Sequence, residues 1–232
     1  MDLLRLWWRD LTDLFCPELC VTCHRPLMPG EHTLCMYCLQ DMPFTHSEQE
    51  TDNAVSRLFW GFFPVANATA LFYYHRGSRY HALLHRFKYE GDRRIGHDMG
   101  HLMGSRMQGT PFAHADCLIP VPLHPDRLRA RGYNQSRCIA DGLSDVLHLP
   151  VEEHALARNI ATTTQTHSGR WERFNNVRHI FALQDKDLLA GRHVILVDDV
   201  ITTGATISAC AETLMQVPGV TISVAALAVA AE

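Results

Sequence analysis

Hydrophobic positions along the chain alternate between two periods. From Val194 to Val197 the sequence reads Val-Ile-Leu-Val, a β-branched apolar run of the kind used by a strand covered on both faces of a parallel sheet. Similar runs occupy residues 65–74, with Ala-Leu-Phe-Tyr-Tyr as the apolar part, and residues 116–122, 151–158 and 220–229. Between them the spacing becomes helical: Tyr80, Leu83, Leu84 and Phe87; Ile95, Met99, Leu102 and Met103; Ile139, Leu143, Val146 and Leu147; Ile207, Cys210, Leu214 and Val217. Asn134 or Ser136 can cap the third of these helices. A long polar stretch, 159–176, separates two of the strands. The order strand, helix, strand, polar stretch, strand, helix, strand predicts an α/β fold, a doubly wound parallel sheet over residues 65–232.

The remaining N-terminal chain divides into two parts. Leu3, Leu4, Trp7, Trp8, Leu11, Leu14 and Phe15 fall on one helical face, so residues 1–45 are expected to hold an N-terminal helix followed by a small cysteine-bearing module. That helix carries Arg5, Arg9 and Asp13 on its other faces, and a polar side mixing acids with bases fits packing on the domain better than lying on a membrane. Residues 46–64 begin polar and acidic and are expected to be a linker.

Composition narrows the compartment. With 232 residues and 47% hydrophobic content the chain can bury a sizeable core, and a net charge of −4 excludes a surface that is basic throughout while leaving room for a local basic patch. The N-terminus lacks the basic, apolar and small-residue order of a secretion signal, being interrupted by Asp2, Asp10 and Asp13, and no apolar run reaches membrane-spanning length. A reducing cytoplasm is therefore expected, where clustered cysteines point to metal before disulfides.

The cysteines are clustered in that sense. Cys20-Val-Thr-Cys23 and Cys35-Met-Tyr-Cys38 form two Cys-x-x-Cys pairs separated by a Pro- and Gly-bearing loop, the spacing with which two knuckles aim four thiolates at one structural zinc. Cys16 is left as a spare or alternate ligand. The competing reading is a set of reduced core cysteines, but residues 16–45 hold few large apolar side chains and could hardly fold without a metal. The helical pairs His81/His85 and His97/His101 are read as ordinary surface histidines, since neither has an intervening Glu or a third ligand nearby.

Three polar segments carry the candidate chemistry. Asp198 and Asp199 follow the buried strand, and adjacent carboxylates there need ribose hydroxyls or a hydrated divalent cation to engage. Thr202-Thr203-Gly204-Ala205-Thr206 then leads into a helix whose N-terminal amides and dipole suit an anion. Earlier, Pro122, Leu123 and Pro125 bound a turn that leads into Arg127, Arg129 and Arg131, whose guanidinium forks suit pyrophosphate or a nucleic-acid backbone alike. The polar stretch has the character of a lid and holds Gln165, Arg170 and Arg173.

The run from Asp198 to Thr206 closely resembles the ribose-phosphate motif of type I phosphoribosyltransferases. The resemblance implies that Asp198 and Asp199 bind the ribose hydroxyls of phosphoribosyl pyrophosphate and that Thr202 to Thr206, following Val200 and Ile201, wrap its 5-phosphate. It also implies that the pyrophosphate meets Pro122, Leu123, Arg127, Arg131, Gln165, Arg170 and Arg173, with Mg²⁺ bound alongside; Asp198, Asp199 and Arg131 are then the expected reaction-centre residues. The two Cys-x-x-Cys pairs, Phe87-Lys88-Tyr89-x-Gly91, Pro120-Val-Pro122-Leu, Arg131-Gly-Tyr-Asn-Gln135, Gln165-Thr, Arg173-x-x-Asn176 and the Asp-Asp-Val-Ile-Thr-Thr-Gly run together resemble the competence protein F family over nearly the whole chain. That family joins a zinc module to a phosphoribosyltransferase-like domain and is linked to uptake or use of external DNA in bacteria. The lid departs from the transferase pattern in having no obvious lysine. Two functions follow as expectations: a Mg²⁺-dependent phosphoribosyltransferase of unknown acceptor, or a non-catalytic module that binds phosphoribosyl pyrophosphate or single-stranded DNA and docks on a DNA-translocating, helicase-like partner through its zinc module.

Overall fold

The computed structural model describes residues 17–75, 77–158 and 180–231. The expected N-terminal helix, Cys16, Gln165, Arg170 and Arg173 lie outside the described residues. In chain order the elements are α1 (Met36–Gln40), α2 (Ala54–Arg57), β1 (Val65–Tyr74), α3 (His81–Tyr89), α4 (Arg93–Met107), β2 (Cys117–Pro120), α5 (Pro125–Arg131), α6 (Gln135–Leu147), β3 (Leu156–Arg158), β4 (Phe181–Leu183), β5 (His193–Ile201), α7 (Ala205–Leu214) and β6 (Thr221–Ala230).

The main sheet is parallel throughout, in the order β1-β6-β5-β2. Its strands are apolar on both faces because both faces are covered. Ile195 and Val197 of β5 and Ala225 and Leu227 of β6 pack with Phe87, Met99, Ile139 and Leu143 from α3, α4 and α6. Their neighbours Val194, Leu196, Val224 and Ala226 pack on the other side with Ile207, Cys210 and Leu214 of α7 and with Phe59. The doubly wound α/β arrangement follows from this alternation.

Helices α4 and α6 approach unusually closely. A Cβ built on Gly100 would sit 2.2 Å from the carbonyl oxygen of Ile139, and one on Gly142 would sit 2.1 Å from that of His97. Glycine at both positions is what allows the two backbones to touch.

Two expectations are corrected. Residues 151–158 do not form a strand of the main sheet: Val151 bridges Leu118, the chain turns at Glu152–His154, and β3 pairs antiparallel with β4. Glu152, Glu153 and His154 would have been buried by continued pairing, whereas here Glu153 reaches Arg137 at the surface. Residues 46–64 are built into the domain: Asn53 caps α2 in a capping box with Ser56, Phe59 is fully buried, and buried Glu48 pairs with Arg106 at 2.7 Å. The basic run is helical, as α5, with Pro125 in its first turn and Gly132 closing it at φ 76°.

The cysteine module shares the core of the α3–α4 face. Cys20, Val21, Leu34, Cys35 and Cys38 join the cluster that holds Phe72, Phe87 and Met103. Polar ties reinforce this: the Tyr80 hydroxyl donates to the Cys38 carbonyl at 2.7 Å, Thr33 donates to Asp98 at 2.6 Å, and Arg94 pairs with Glu18 at 2.9 Å.

Candidate functional site

Strand β5 carries the two acids to its carboxyl end, flanked by β6 and β2, where open α/β sheets leave a crevice. The strand runs on past them to Ile201, so Asp198 and Val200 keep ladder partners in Ala226 and Ala228. The Asp198 carboxylate accepts from the Asp199 N–H at 2.8 Å and from the Ser136 hydroxyl at 3.2 Å. Burial and the neighbouring Asp199 charge push its pKa up to about 7 against those donors and Lys88. Asp199 has a different partner, the Lys88 ammonium at 3.0 Å.

Beyond Ile201 the chain turns through Thr202 and Thr203 into α7. Gly204 takes the left-handed conformation, φ 73°, at the helix N-cap, and a Cβ there would press to 3.0 Å from the Phe59 ring. Among the described residues no side chain caps α7, although the Thr203 hydroxyl lies 3.4 Å from the Ala205 N–H, so the helix N-terminus keeps donors for an incoming anion.

Opposite the acids stands α5. Arg127 and Arg131 are four residues apart on one helix, which places both on the cavity face, while Arg129 turns outward, 73% exposed, and pairs with Asp126. Arg131 donates to Gln135 at 2.8 Å, and its guanidinium lies 5.4 Å from the centroid of the Tyr89 ring. Asn134 caps α6 by accepting from Ser136 N–H at 3.1 Å and also donates to the Val121 carbonyl at 3.1 Å. The Tyr133 hydroxyl donates to the Phe87 carbonyl.

These walls enclose a cavity of about 460 Å³ lined by Pro122, Leu123, Arg127, Arg131, Asp198, Asp199, Val200, Thr202 and Thr206. Ile201 is buried in the core behind it, and Thr203, Gly204 and Ala205 shape the turn without lining it. Four further polar residues that were not picked out as site residues in the sequence also face it: Lys88, Gln135, Ser136 and Arg158. Lys88 and Gln135 belong to the Phe87-Lys88-Tyr89 and Arg131-Gly-Tyr-Asn-Gln135 stretches, whereas Arg158 reads as an ordinary strand end. It stacks on Phe181, 5.4 Å from the ring centroid, and its buried Nε has no partner among the described residues. His81 and His85 are exposed as expected, but with Tyr74 and Tyr89 they form a row of stacked or tilted rings along one wall. A cavity of about 650 Å³ behind the same loop contains neither acid, and its Arg137 is already paired with Asp141 and Glu153.

The four cysteines converge at a second place. The Sγ atoms of Cys20, Cys23, Cys35 and Cys38 all lie within 4.8 Å of one another, with Cys23 and Cys35 at 3.6 Å. Thiolates about 2.3 Å from a shared tetrahedral ion fit that spread, so the donor set suits a closed structural metal site. Burial raises the Cys20 thiol, but the N–H groups of Cys35, Cys23 and Thr22 overcome it and hold the pKa at about 7. Burial and neighbouring thiols push Cys38 up instead. Among the described residues no helix is long and apolar enough to cross a membrane.

The chain is 27% identical over 224 residues to the DNA utilization protein YhgH of Escherichia coli O157:H7, covering 90% of this chain and 95% of that one. It is 33% identical over 131 residues to competence protein F of Haemophilus influenzae, covering 54% and 57% of the two chains. Against competence protein ComFC of Bacillus subtilis it is 31% identical over 134 residues, covering 57% and 52%. No family model matches. Among solved structures, glutamine phosphoribosylpyrophosphate amidotransferase from B. subtilis aligns with TM-score 0.42 and 18% identity over 60% of this chain and 30% of that one. Purine phosphoribosyltransferase from Pyrococcus horikoshii aligns with TM-score 0.34 and 15% identity over 57% and 72%.

Proposed function

We propose that this chain is a member of the competence protein F family whose β5 cavity binds phosphoribosyl pyrophosphate with Mg²⁺, in a protein serving the use of external DNA. One observation carries this reading: a single cavity joins two adjacent acids, an uncapped helix N-terminus beside Thr202 and Thr206, and the Arg127–Arg131 pair. The acids suit a diol, the helix end a terminal phosphate, and the guanidinium groups a pyrophosphate. Asp198 and Asp199 are the residues suited to hold Mg²⁺ through its water shell, and the bound ion would neutralise charge on the departing pyrophosphate. Arg131, fixed by Gln135 and Tyr89, would hold that leaving group, and Gln165, Arg170 and Arg173 are assigned to the same role. Cys20, Cys23, Cys35 and Cys38 are assigned a structural zinc.

The test is calorimetric titration with phosphoribosyl pyrophosphate, with and without Mg²⁺. Binding that needs Mg²⁺ and disappears in Asp199→Asn supports the reading, and pyrophosphate release on adding a base or amine then establishes transfer. Absence of binding by the wild-type protein rejects it.

A second reading has its own support. One relative is named a DNA utilization protein, and the cavity lining interleaves Arg127, Arg131 and Arg158 with Tyr74, His81, His85 and Tyr89, the mix of charge and rings on which unpaired bases bind. Salt-dependent single-strand affinity without pyrophosphate release would favour a binding module that docks on a DNA-translocating partner.

A further inference from the structure

The Phe87-Lys88-Tyr89 end of α3 touches three parts of the site. Phe87 accepts from Tyr133, Tyr89 lies under Arg131, and Lys88 reaches across to Asp199. Among the described residues Lys88 is the one cation in ion-pair contact with either acid, and the pair is mostly buried, with side chains 22% and 15% exposed. Asp198 and Asp199 repel one another, and the Lys88 ammonium, paired with Asp199, offsets part of that repulsion. That charge also obstructs. A ribose hydroxyl or a hydrated divalent ion directed at Asp199 needs the oxygen that the ammonium holds.

Resting on the phosphoribosyl pyrophosphate reading, we propose that Lys88 is an exchangeable counter-ion. It pairs with Asp199, and when diol and divalent ion arrive it is handed over to the ligand's phosphate oxygens. The side-chain chemistry suits this. An ammonium on a four-carbon stem is a point charge that can swing between oxygens, where a guanidinium would be held in a two-pronged geometry. The hand-over is short, because Lys88 lines the same cavity as Arg127 and Arg131.

The experiment compares wild type, Lys88→Met and Lys88→Arg in three titrations: Mn²⁺ alone followed by electron paramagnetic resonance, inorganic pyrophosphate without metal, and phosphoribosyl pyrophosphate with Mg²⁺. Removing a charge at 3.0 Å should tighten Mn²⁺ about tenfold and weaken pyrophosphate about tenfold in Lys88→Met, with Lys88→Arg moving both back toward wild type. Lys88→Gln replaces Lys88→Met if the latter melts far below wild type. Unchanged or weaker Mn²⁺ binding overturns the counter-ion role, and unchanged pyrophosphate binding overturns the hand-over. If wild type binds phosphoribosyl pyrophosphate and the variants match it, only this inference fails. If wild type does not bind it, the ligand reading and the hand-over fall together, and the Mn²⁺ arm still judges the Lys88–Asp199 contact.

Discussion

The hydroxyl of Tyr133 donates to the carbonyl oxygen of Phe87, joining the turn between α5 and α6 to the last turn of α3. A carbonyl in a helix's final turn has no partner within the helix, and both residues here are buried. Tyr133→Phe keeps the ring, 6.1 Å from Phe87, but strands that acceptor. Loss of about 1–3 kcal/mol is expected in urea denaturation. A stability equal to wild type would show that the carbonyl finds another donor.

Gly142→Ala and Gly100→Ala should reverse the usual sign of a helical Gly-to-Ala change. In a free helix alanine gains about 1 kcal/mol over glycine. Here the new methyl would meet a carbonyl oxygen of the facing helix at 2.1 or 2.2 Å, so α4 and α6 must move apart. Overpacking of about 1–3 kcal/mol is the expected net effect, read as a lowered denaturation midpoint. A raised midpoint would mean that the helices separate easily.

Much of this arrangement was legible in the sequence, with failures at identifiable places. The buried strands announced themselves because a parallel sheet covered on both faces leaves apolar residues at every position, as in Val194–Val197. Helices α3, α4 and α6 showed in their spacing, but the glycine contact between α4 and α6 did not, because small residues leave no periodic hydrophobic mark. Residues 151–158 looked like another core strand since Ala155 and Leu156 are indeed buried, yet their partner is β4, across a segment whose return path no local pattern specifies. At the site, Asp198 and Asp199 stand out through adjacency. Lys88 and Arg158 reach the cavity only by tertiary packing from elements 40 or more residues away in sequence, which a one-dimensional reading does not bring together.

The helical form of α5 makes a prediction that a basic loop would not. Arg127→Ala and Arg131→Ala should each weaken inorganic pyrophosphate binding about tenfold, the size of one charged hydrogen bond to phosphate. Arg129→Ala, removing a side chain that pairs with Asp126 away from the cavity, should leave it unchanged. Titration of the three variants decides the matter, and equal losses in all three would point to diffuse attraction.

Asp198 should make stability depend on pH in a definite direction. Burial and Asp199 raise its folded pKa to about 7, above the value of 3.8 for a free carboxyl. Below 3.8 both folded and unfolded chains keep the proton and there is no penalty. Between the two values the unfolded chain releases it while the folded one retains it, so stability falls as pH rises; above about 7 the penalty is complete. Asp198→Asn can still accept from Ser136 and the Asp199 N–H but carries no charge. Its melting temperature should therefore gain on wild type between pH 4 and pH 8. A difference that stays flat with pH would place the carboxylate in a better solvated setting.

Metal removal should reach beyond the cysteine module. Cys20, Cys35 and Cys38 belong to the same buried cluster as Phe87 and Met103, and Tyr80 of the main domain donates to the Cys38 carbonyl. A knuckle that opens thus withdraws partners from α3 and α4. Elemental analysis is expected to find about one zinc per chain, as one closed four-sulfur site requires. Chelation, or Cys38→Ser, should lower the single main melting transition and not merely erase a small early one. The binding side has a pH sign as well: Cys35 and Cys38 hold their protons more tightly than free thiols and must lose them to ligate, so zinc affinity should rise with pH. Protein that contains no zinc, or a main transition indifferent to chelator, would show the four sulfurs to be reduced core cysteines packed at close range.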